Sequence, residues 1–181
     1  MPRILINYGI QPYFRAVWNL DRAFIYNRQI WLGEIKHKFP FGRELSFGMN
    51  IGELEVIERL TSAGIQCLHV ILVKPLWSKE VGSMYLLNNL QMRSRAALVA
   101  CALSQESASR IFPVDAAVSG SHTSFSGTGH LKYRKARVTH FSLVGNMGEP
   151  TYTLAEALAK LMRGCALPAV TEECLRRYRA G

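Results

Sequence analysis

The alternation of apolar and polar residues predicts a β-hairpin in the first quarter of the chain. Residues 23–26 and 30–35 are rich in β-branched and aromatic side chains, and the polar segment 27–29 lies between them. Such runs are typical of half-buried strands. Pro40 and Gly42 follow and are expected to end the second strand.

The next segment, residues 50–64, has the spacing of an amphipathic helix. Asn50 is suited to the N-cap, with Glu53 three residues later as a capping-box partner. Gly64 is suited to the position after the helix. The apolar stripe of this helix consists of Ile51, Leu54, Ile57 and Leu60.

A continuous apolar run at residues 67–73 predicts a strand that is buried on both faces. The order is then strand, strand, helix, strand. A crossover through the helix places the last strand parallel to one hairpin strand. We therefore expect an α/β fold whose mixed central sheet contains a β-hairpin and a parallel strand and is flanked by helices.

The second half of the chain has weaker patterns. Residues 78–107, which include Cys101, contain few helix breakers and predict one long or two short helices. Residues 119–129 have the Ser/Gly composition of a loop. The alternation in residues 131–144 indicates a strand or a hairpin.

Two further helices are expected near the end. Thr153 and Glu156 have the spacing of a helix N-terminus, and Gly164 is suited to its end. Residues 176–179 are predicted to be helical and exposed.

The length of 181 residues and the 49% apolar content indicate a single globular domain with a substantial core. We expect residues 21–74 to form the core unit and residues 75–181 a helical and basic-strand extension. No apolar run approaches the roughly 18 residues that span a bilayer, and no signal-peptide pattern opens the chain. We therefore expect a cytoplasmic protein without a membrane segment. The four cysteines show no metal-ligand spacing and are expected to be reduced.

The net charge favours a polyanionic partner. Lysine and arginine number 22 against 13 acidic residues, which gives +9 at pH 7. Such an excess indicates nucleic acid first and an anionic membrane surface second, although a basic, solvated surface explains it equally well.

Two carboxylates and a lysine are expected to converge at the hairpin. Glu34 and Lys36 are two residues apart and therefore project from one face of the second strand. Asp21 opens the first strand, and the pairing places it near Glu34. Carboxylate oxygens of this kind suit Mg²⁺, and a neighbouring lysine can orient a water and stabilise charge on a phosphate.

These residues, followed by a capped helix and a buried strand, resemble the PD-(D/E)xK nuclease superfamily over residues 21–74. The resemblance implies a restriction-endonuclease-like core and a Mg²⁺- or Mn²⁺-dependent endonuclease acting on DNA. It implies that Asp21 and Glu34 bind the metal, that the carbonyl of Ile35 adds a ligand, and that Lys36 assists the attacking water.

The segment before the hairpin departs from this pattern. The family usually has a further acidic residue on a preceding helix, whereas residues 1–20 contain no acid. Leu20 also stands where the family has proline. Glu53 or Glu55 on the following helix could substitute for the missing acid, although a solvated helix face explains both more simply.

Basic residues are expected to contact the phosphate backbone of DNA. A solvated strand explains most of them equally well. These residues are Lys38, Lys132, Arg134, Lys135 and Arg137.

Other chemistries have less support. His122, His130 and His140 are explained by exposed positions, and the Ser/Gly loop lacks a phosphate-binding glycine motif. A Ser/His/Asp site would require Asp115 or Asp21, and no nucleophile-elbow motif is present.

Two alternatives to the enzyme stay open. One is a non-catalytic nucleic-acid-binding or assembly subunit that retains the nuclease fold, and the other is an interaction domain that is basic for solubility. Since a double-strand cut normally requires two sites, the chain is expected to act as a homodimer or within a larger nucleoprotein complex.

Overall fold

The predicted hairpin is present in the computed structural model, which describes residues 21–78, 84–113, 116–119 and 131–180. Strands β1 (Arg22–Tyr26) and β2 (Gln29–Lys38) pair antiparallel from Arg22–Gly33 to Tyr26–Gln29. Asn27 and Arg28 form the turn with φ of 50° and 62°. Two successive positive φ values are typical of a type I′ turn, whose twist matches that of the strands.

The helix and the parallel strand are also confirmed. Strand β3 (Ser46–Asn50) leads into α1 (Ile51–Ser62), and β4 (Gln66–Val73) follows. The Asn50 side chain accepts a hydrogen bond from the N–H of Gly52 at 2.9 Å. Gly64 has a φ of 83°, the left-handed conformation that often ends a helix. Strand β4 pairs parallel with β2.

The expectation of helices throughout residues 78–107 is wrong. The structure has a short helix α2 (Tyr85–Asn88), a 3₁₀ helix (Leu90–Arg95) and then strand β5 (Ala97–Leu103), which contains Cys101. Six of the seven β5 residues are buried, because β5 lies between β4 and β8 (Ser142–Asn146) in the sheet. Its apolar run therefore belongs to a central strand, where helix propensity is overridden by sheet pairing.

The central sheet has the order β1-β2-β4-β5-β8. Strands β2 and β4 are parallel, and the other neighbours are antiparallel. Helix α4 (Thr151–Met162) packs on one face of this sheet through apolar residues such as Leu154 and Leu158. The fold is therefore α/β, with a mixed central sheet flanked by helices.

A second, antiparallel sheet consists of β3, β6 (Ala116–Ser119) and β7 (Leu131–Arg137). Its strand order is β3-β7-β6. The predicted strand at residues 131–144 is thus present. The alternative of a hairpin is wrong, because a 3₁₀ helix (Val138–His140) carries the chain from β7 to β8 in the other sheet. The predicted loop after Ser119 falls in residues 120–130, outside the described residues.

The main core lies between the two sheets. Helices α1 and α3 (Gln105–Ile111) contribute to it, and its members extend in sequence from Leu32 to Leu175. Phe47, Phe112 and Phe141 form edge-to-face contacts at its centre. This core covers the face of β2 that carries Leu32.

The last two helices differ slightly from the prediction. Helix α4 begins at Thr151 after Pro150 and has no side-chain cap, so Thr153 lies inside its first turn. Gly164 follows this helix with a φ of 75°, as expected. Helix α5 (Glu172–Tyr178) confirms that the tail is helical up to Tyr178, and Arg176 and Arg177 are exposed as expected, whereas Tyr178 is partly buried against the core and Arg179 follows the helix. Across the ranges that the structure describes, none of the helices is both long and apolar enough to span a membrane.

Candidate functional site

The face of β2 that meets the main core becomes polar towards the end of the strand. Leu32 packs in the core, and Glu34 and Lys36 follow on the same face because side chains alternate along a strand. Glu34 is only 2% exposed. A buried carboxylate is uncommon unless it is paired or functional.

Glu34, Lys36 and Glu53 form an ion cluster, which we call the Glu–Lys–Glu cluster. Lys36 Nζ forms an ion pair with Glu34 Oε1 and lies 3.1 Å from Glu53 Oε1. Glu53 comes from the first turn of α1 and is 4% exposed. The cluster therefore joins the central sheet to the helix that crosses over it.

Burial and charge act in opposite directions on the groups of this cluster. Burial raises the pKa of Glu34 to about 7, although the Lys36 ammonium opposes the shift. Burial alone would lower the pKa of Lys36, but Glu53 and Glu34 together raise it. Lys36 is therefore held as a cation, whereas Glu34 changes its charge near neutral pH.

The cluster retains unsatisfied oxygen atoms. Glu34 Oε2 is buried and has no hydrogen-bond partner within the described ranges, and Glu53 Oε1 is held only by its ion pair with Lys36. Two buried carboxylates with such oxygens fit Mg²⁺ or Mn²⁺, because Mg²⁺ binds through one or two carboxylates and retains several waters. Glu34 and Glu53 are the residues that would hold the ion.

Asp21 lies beside this cluster but is not joined to it. Its Oδ2 accepts a hydrogen bond of 2.8 Å from the backbone N–H of Ile35. The side chain of Ile35 is 55% exposed. The geometry places Asp21 against the β2 backbone, and it would have to leave this hydrogen bond to ligate a metal. In the part of the chain that is described, no three His, Cys, Asp or Glu side chains are close enough to hold a metal ion.

Glu53 is the site residue that the sequence interpretation assigned differently. The capping-box and solvated-face assignments are wrong because the Glu53 carboxylate is buried against Lys36, and the alternative that Glu53 substitutes for the missing acid stays a prediction. The helical spacing already indicated that Glu53 is buried, because it lies four residues before the buried Ile57 and therefore on the same face of the helix. Glu55 points to the opposite side and is exposed, as expected.

Lys38 continues the same face of β2. Its Nζ donates a hydrogen bond to the backbone carbonyl of Gly48 in β3, and burial lowers its pKa to about 8. Lys38 thus contacts the backbone of the second sheet, and a phosphate would have to displace that contact. His69 lies opposite Glu34 on β4, where burial keeps its pKa well below the usual value.

The basic residues of β7 divide into two groups. Arg134 is ion-paired with Glu58 of α1 at 3.1 Å, and Arg137 Nε donates to Glu44 Oε2 at 3.0 Å. Lys132 and Lys135 are exposed and have no ion-pair partner within the described ranges. The structure therefore brings only these two lysines to the surface as unpaired cations of the predicted set.

The remaining sequence candidates do not add to the site. His140 is exposed, and His122, His130 and Asp115 lie outside the described residues. The four cysteines form no disulfide. Burial raises the pKa of Cys67 to about 12, which keeps its thiol protonated.

Comparison with known proteins adds no relative. Neither a family model, nor a curated protein, nor a solved structure matches the chain.

Proposed function

We propose that the chain is a metal-dependent endonuclease that hydrolyses DNA phosphodiester bonds at the Glu–Lys–Glu cluster. The observation that carries the proposal is a pair of buried carboxylates, Glu34 and Glu53, that share one lysine and retain an unpaired oxygen. Burying such charges is costly, and a buried ion pair is weak evidence for a purely stabilising role. The restriction-endonuclease-like core suggested by the sequence belongs to the same proposal.

The residues of the cluster have complementary roles in this proposal. A divalent ion held by Glu34 and Glu53 would stabilise the negative charge that develops on the phosphate. Lys36 donates hydrogen bonds and orients the water that attacks phosphorus in line. A bond forms between phosphorus and the water oxygen, the bond to the 3′-oxygen breaks, and the proton that the water loses balances the one that the 3′-oxygen takes up, which leaves a 5′-phosphate and a 3′-hydroxyl.

Asp21 and the carbonyl of Ile35 are further candidate ligands of the metal ion. The N–H and the C=O of a residue in a strand point to the same neighbouring strand. The N–H of Ile35 faces Asp21, so its carbonyl oxygen lies at the same edge of β2. Rotation of the Asp21 side chain would therefore place a third carboxylate beside that carbonyl.

The proposal for DNA as the partner rests on charge. The chain has a net charge of +9, and Lys132 and Lys135 are exposed and unpaired within the described ranges. Each phosphate contact releases counterions, so binding should weaken steeply with added salt. A homodimer would supply the two sites that a double-strand cut requires.

Nicking and linearisation of a supercoiled plasmid in Mg²⁺ or Mn²⁺ test the proposed activity. Wild type should cleave, and EDTA should abolish cleavage. Lys36→Ala should lower the rate by about 100-fold or more, because it removes the group that orients the water. Cleavage that survives both EDTA and Lys36→Ala would contradict the proposal.

A matched pair of variants on α1 tests the assignment of Glu53. Glu53→Gln should slow cleavage by about ten-fold or more through weaker ion binding. Glu55→Gln should leave the rate unchanged, because Glu55 is exposed on the opposite side of the same helix. Equal effects of the two variants would exclude Glu53 from the site.

A second candidate function is a non-catalytic nucleic-acid-binding or assembly subunit. One observation favours it: the Lys36 ammonium already has two carboxylate partners. The cluster is therefore electrostatically complete as a purely structural element. Salt-sensitive DNA binding that is unchanged in EDTA, together with no cleavage in either metal, would support this candidate over the enzyme.

A further inference from the structure

An open cleft lies where the chain leaves β2. Its volume is about 420 Å³. Its walls are formed by the segment after β2, by Trp77 and by the end of α5. The side chains that define its chemistry are Phe39, Phe41, Arg43, Trp77, Arg176 and Arg179.

The cleft is positively charged. Three of the lining residues are arginines, and none of those that the structure describes is acidic. Arg176 is ion-paired with Glu172 at 3.5 Å. Arg43 and Arg179 have no carboxylate partner within the described ranges, so both guanidinium groups are available to an anion. Guanidinium groups bind phosphate with two parallel hydrogen bonds.

The cleft also presents aromatic surface. The Arg179 guanidinium lies over the Trp77 ring, 5.0 Å from its centroid. Phe41 is held by an edge-to-face contact with Tyr133 at 5.7 Å, and Lys74 lies over the Phe39 ring. Aromatic faces next to cations favour a ligand with both a planar ring and a negative charge.

We propose that this cleft binds one unpaired nucleotide of a single-stranded DNA segment. Its base would stack on the Arg179 guanidinium that lies over Trp77, and Arg43 would bind the adjoining phosphate. The volume of about 420 Å³ lies in the range of small-ligand sites, which matches a ligand of one nucleotide. The proposal adds an unpaired segment beside the cut site to the DNA substrate of the nuclease proposed above, and it rests on that function for its catalytic meaning.

The position of the cleft agrees with this assignment. Phe39 follows Lys36 by three residues, which is about 10 Å along an extended strand. Phosphates along one stacked DNA strand are spaced by about 3.4 Å, so this distance corresponds to about three nucleotides. A strand that passes the Glu–Lys–Glu cluster can therefore place its next nucleotides in the cleft.

Fluorescence anisotropy in EDTA separates binding from catalysis. The full-length protein is titrated into a labelled eight-nucleotide single strand and into a blunt-ended duplex that contains the same sequence. Wild type should bind the single strand at least about five-fold more tightly, since only unpaired bases can stack. An acidic peptide that contains phosphotyrosine is added as a competitor, because it also combines an aromatic ring with negative charge but belongs to a different class of ligand.

Arg179→Ala should weaken single-strand binding by about five- to twenty-fold. Trp77→Phe retains an aromatic face and should retain most of the affinity. Arg177→Ala is the matched control, because Arg177 is exposed in the last turn of α5, two residues before Arg179, and does not line the cleft. Thermal unfolding of each variant checks that the fold is intact.

Three results would overturn the proposal. The first is equal affinity for the single strand and the duplex. The second is an equal loss of single-strand affinity in Arg179→Ala and Arg177→Ala. The third is displacement of the DNA by the peptide at a lower concentration than by unlabelled single strand. Binding at the cleft without any plasmid cleavage would overturn only the proposed nuclease. Cleavage without a preference for the single strand would overturn only the cleft.

Discussion

Residues that are close in the sequence of this protein can have very different environments in the fold. Glu53 is buried in an ion cluster, whereas Glu55, two residues later, is exposed. The difference follows from helix geometry, since two residues correspond to a rotation of about 200° around the axis. At this scale the environment of a side chain, and not its type, decides its chemistry.

The pH dependence of stability should reveal the burial of Glu34. Its pKa is raised from 4.5 to about 7 in the fold, so the folded state retains a proton that the unfolded chain loses. The associated stability is fully present below about pH 4.5 and is lost as pH rises through about 7. Glu34→Gln cannot ionise, so it should gain stability relative to wild type over this window, by on the order of 3 kcal/mol at most.

Urea unfolding at pH 5 and pH 8, in EDTA, measures this effect. Glu156→Gln is a suitable control because Glu156 is exposed and forms only a surface ion pair with Lys160. If the difference between wild type and Glu34→Gln is the same at both pH values, Glu34 does not have a raised pKa.

The secondary-structure elements are specified mainly by local signals at their ends. The side chain of Asn50 and the left-handed Gly64 bracket α1, and the turn at Asn27 and Arg28 sets the register of the hairpin. Arg28 has a φ of 62°, which costs a non-glycine residue free energy. The hairpin that carries Glu34 therefore has a turn that is not optimal.

Arg28→Gly should stabilise the protein by about 0.5–1 kcal/mol. The change creates Asn-Gly, the preferred pair for a type I′ turn, at a position where glycine has no steric penalty. The midpoint of thermal unfolding measures the gain.

Gly64→Ala is the opposite test, because Gly64 has a φ of 83° and alanine there should destabilise the fold. Stabilisation by Gly64→Ala would show that these backbone conformations do not limit stability.

At the scale of the whole molecule, one core joins the two sheets. Phe141 lies in the link from β7 to β8, is 1% exposed, and contacts the rings of Phe47, His69 and Phe112. Its contacts thus connect the central sheet, the second sheet and the segment after α3. The Glu–Lys–Glu cluster lies on the same side of the central sheet, so the core also fixes the geometry of the site.

Phe141→Ala should destabilise the fold by about 3–5 kcal/mol, the usual cost of removing a fully buried aromatic ring. Tyr152→Ala, at a residue that is 74% exposed, should change stability by less than about 0.5 kcal/mol. Chemical denaturation followed by both circular dichroism and tryptophan fluorescence measures the two variants. Different midpoints for the two probes in wild type would mean that the sheets do not unfold as one unit.

Local patterns in the sequence determined the hairpin, α1 and β4, and with them the place of Glu34 and Lys36 on one face of β2. These features depend on turn residues, helix caps and side-chain periodicity, all of which act between near neighbours. The α/β class followed from their order along the chain.

Only the tertiary structure decided the rest. Strand β5 has an apolar run that fits a helix or a strand, and its pairing with β4 and β8 selects the strand. The burial of Glu53 depends on how α1 packs across β2, and the inward direction of Arg134 depends on Glu58 of the same helix. Contacts between residues far apart in the chain determine these features, and local propensity contains no information about them.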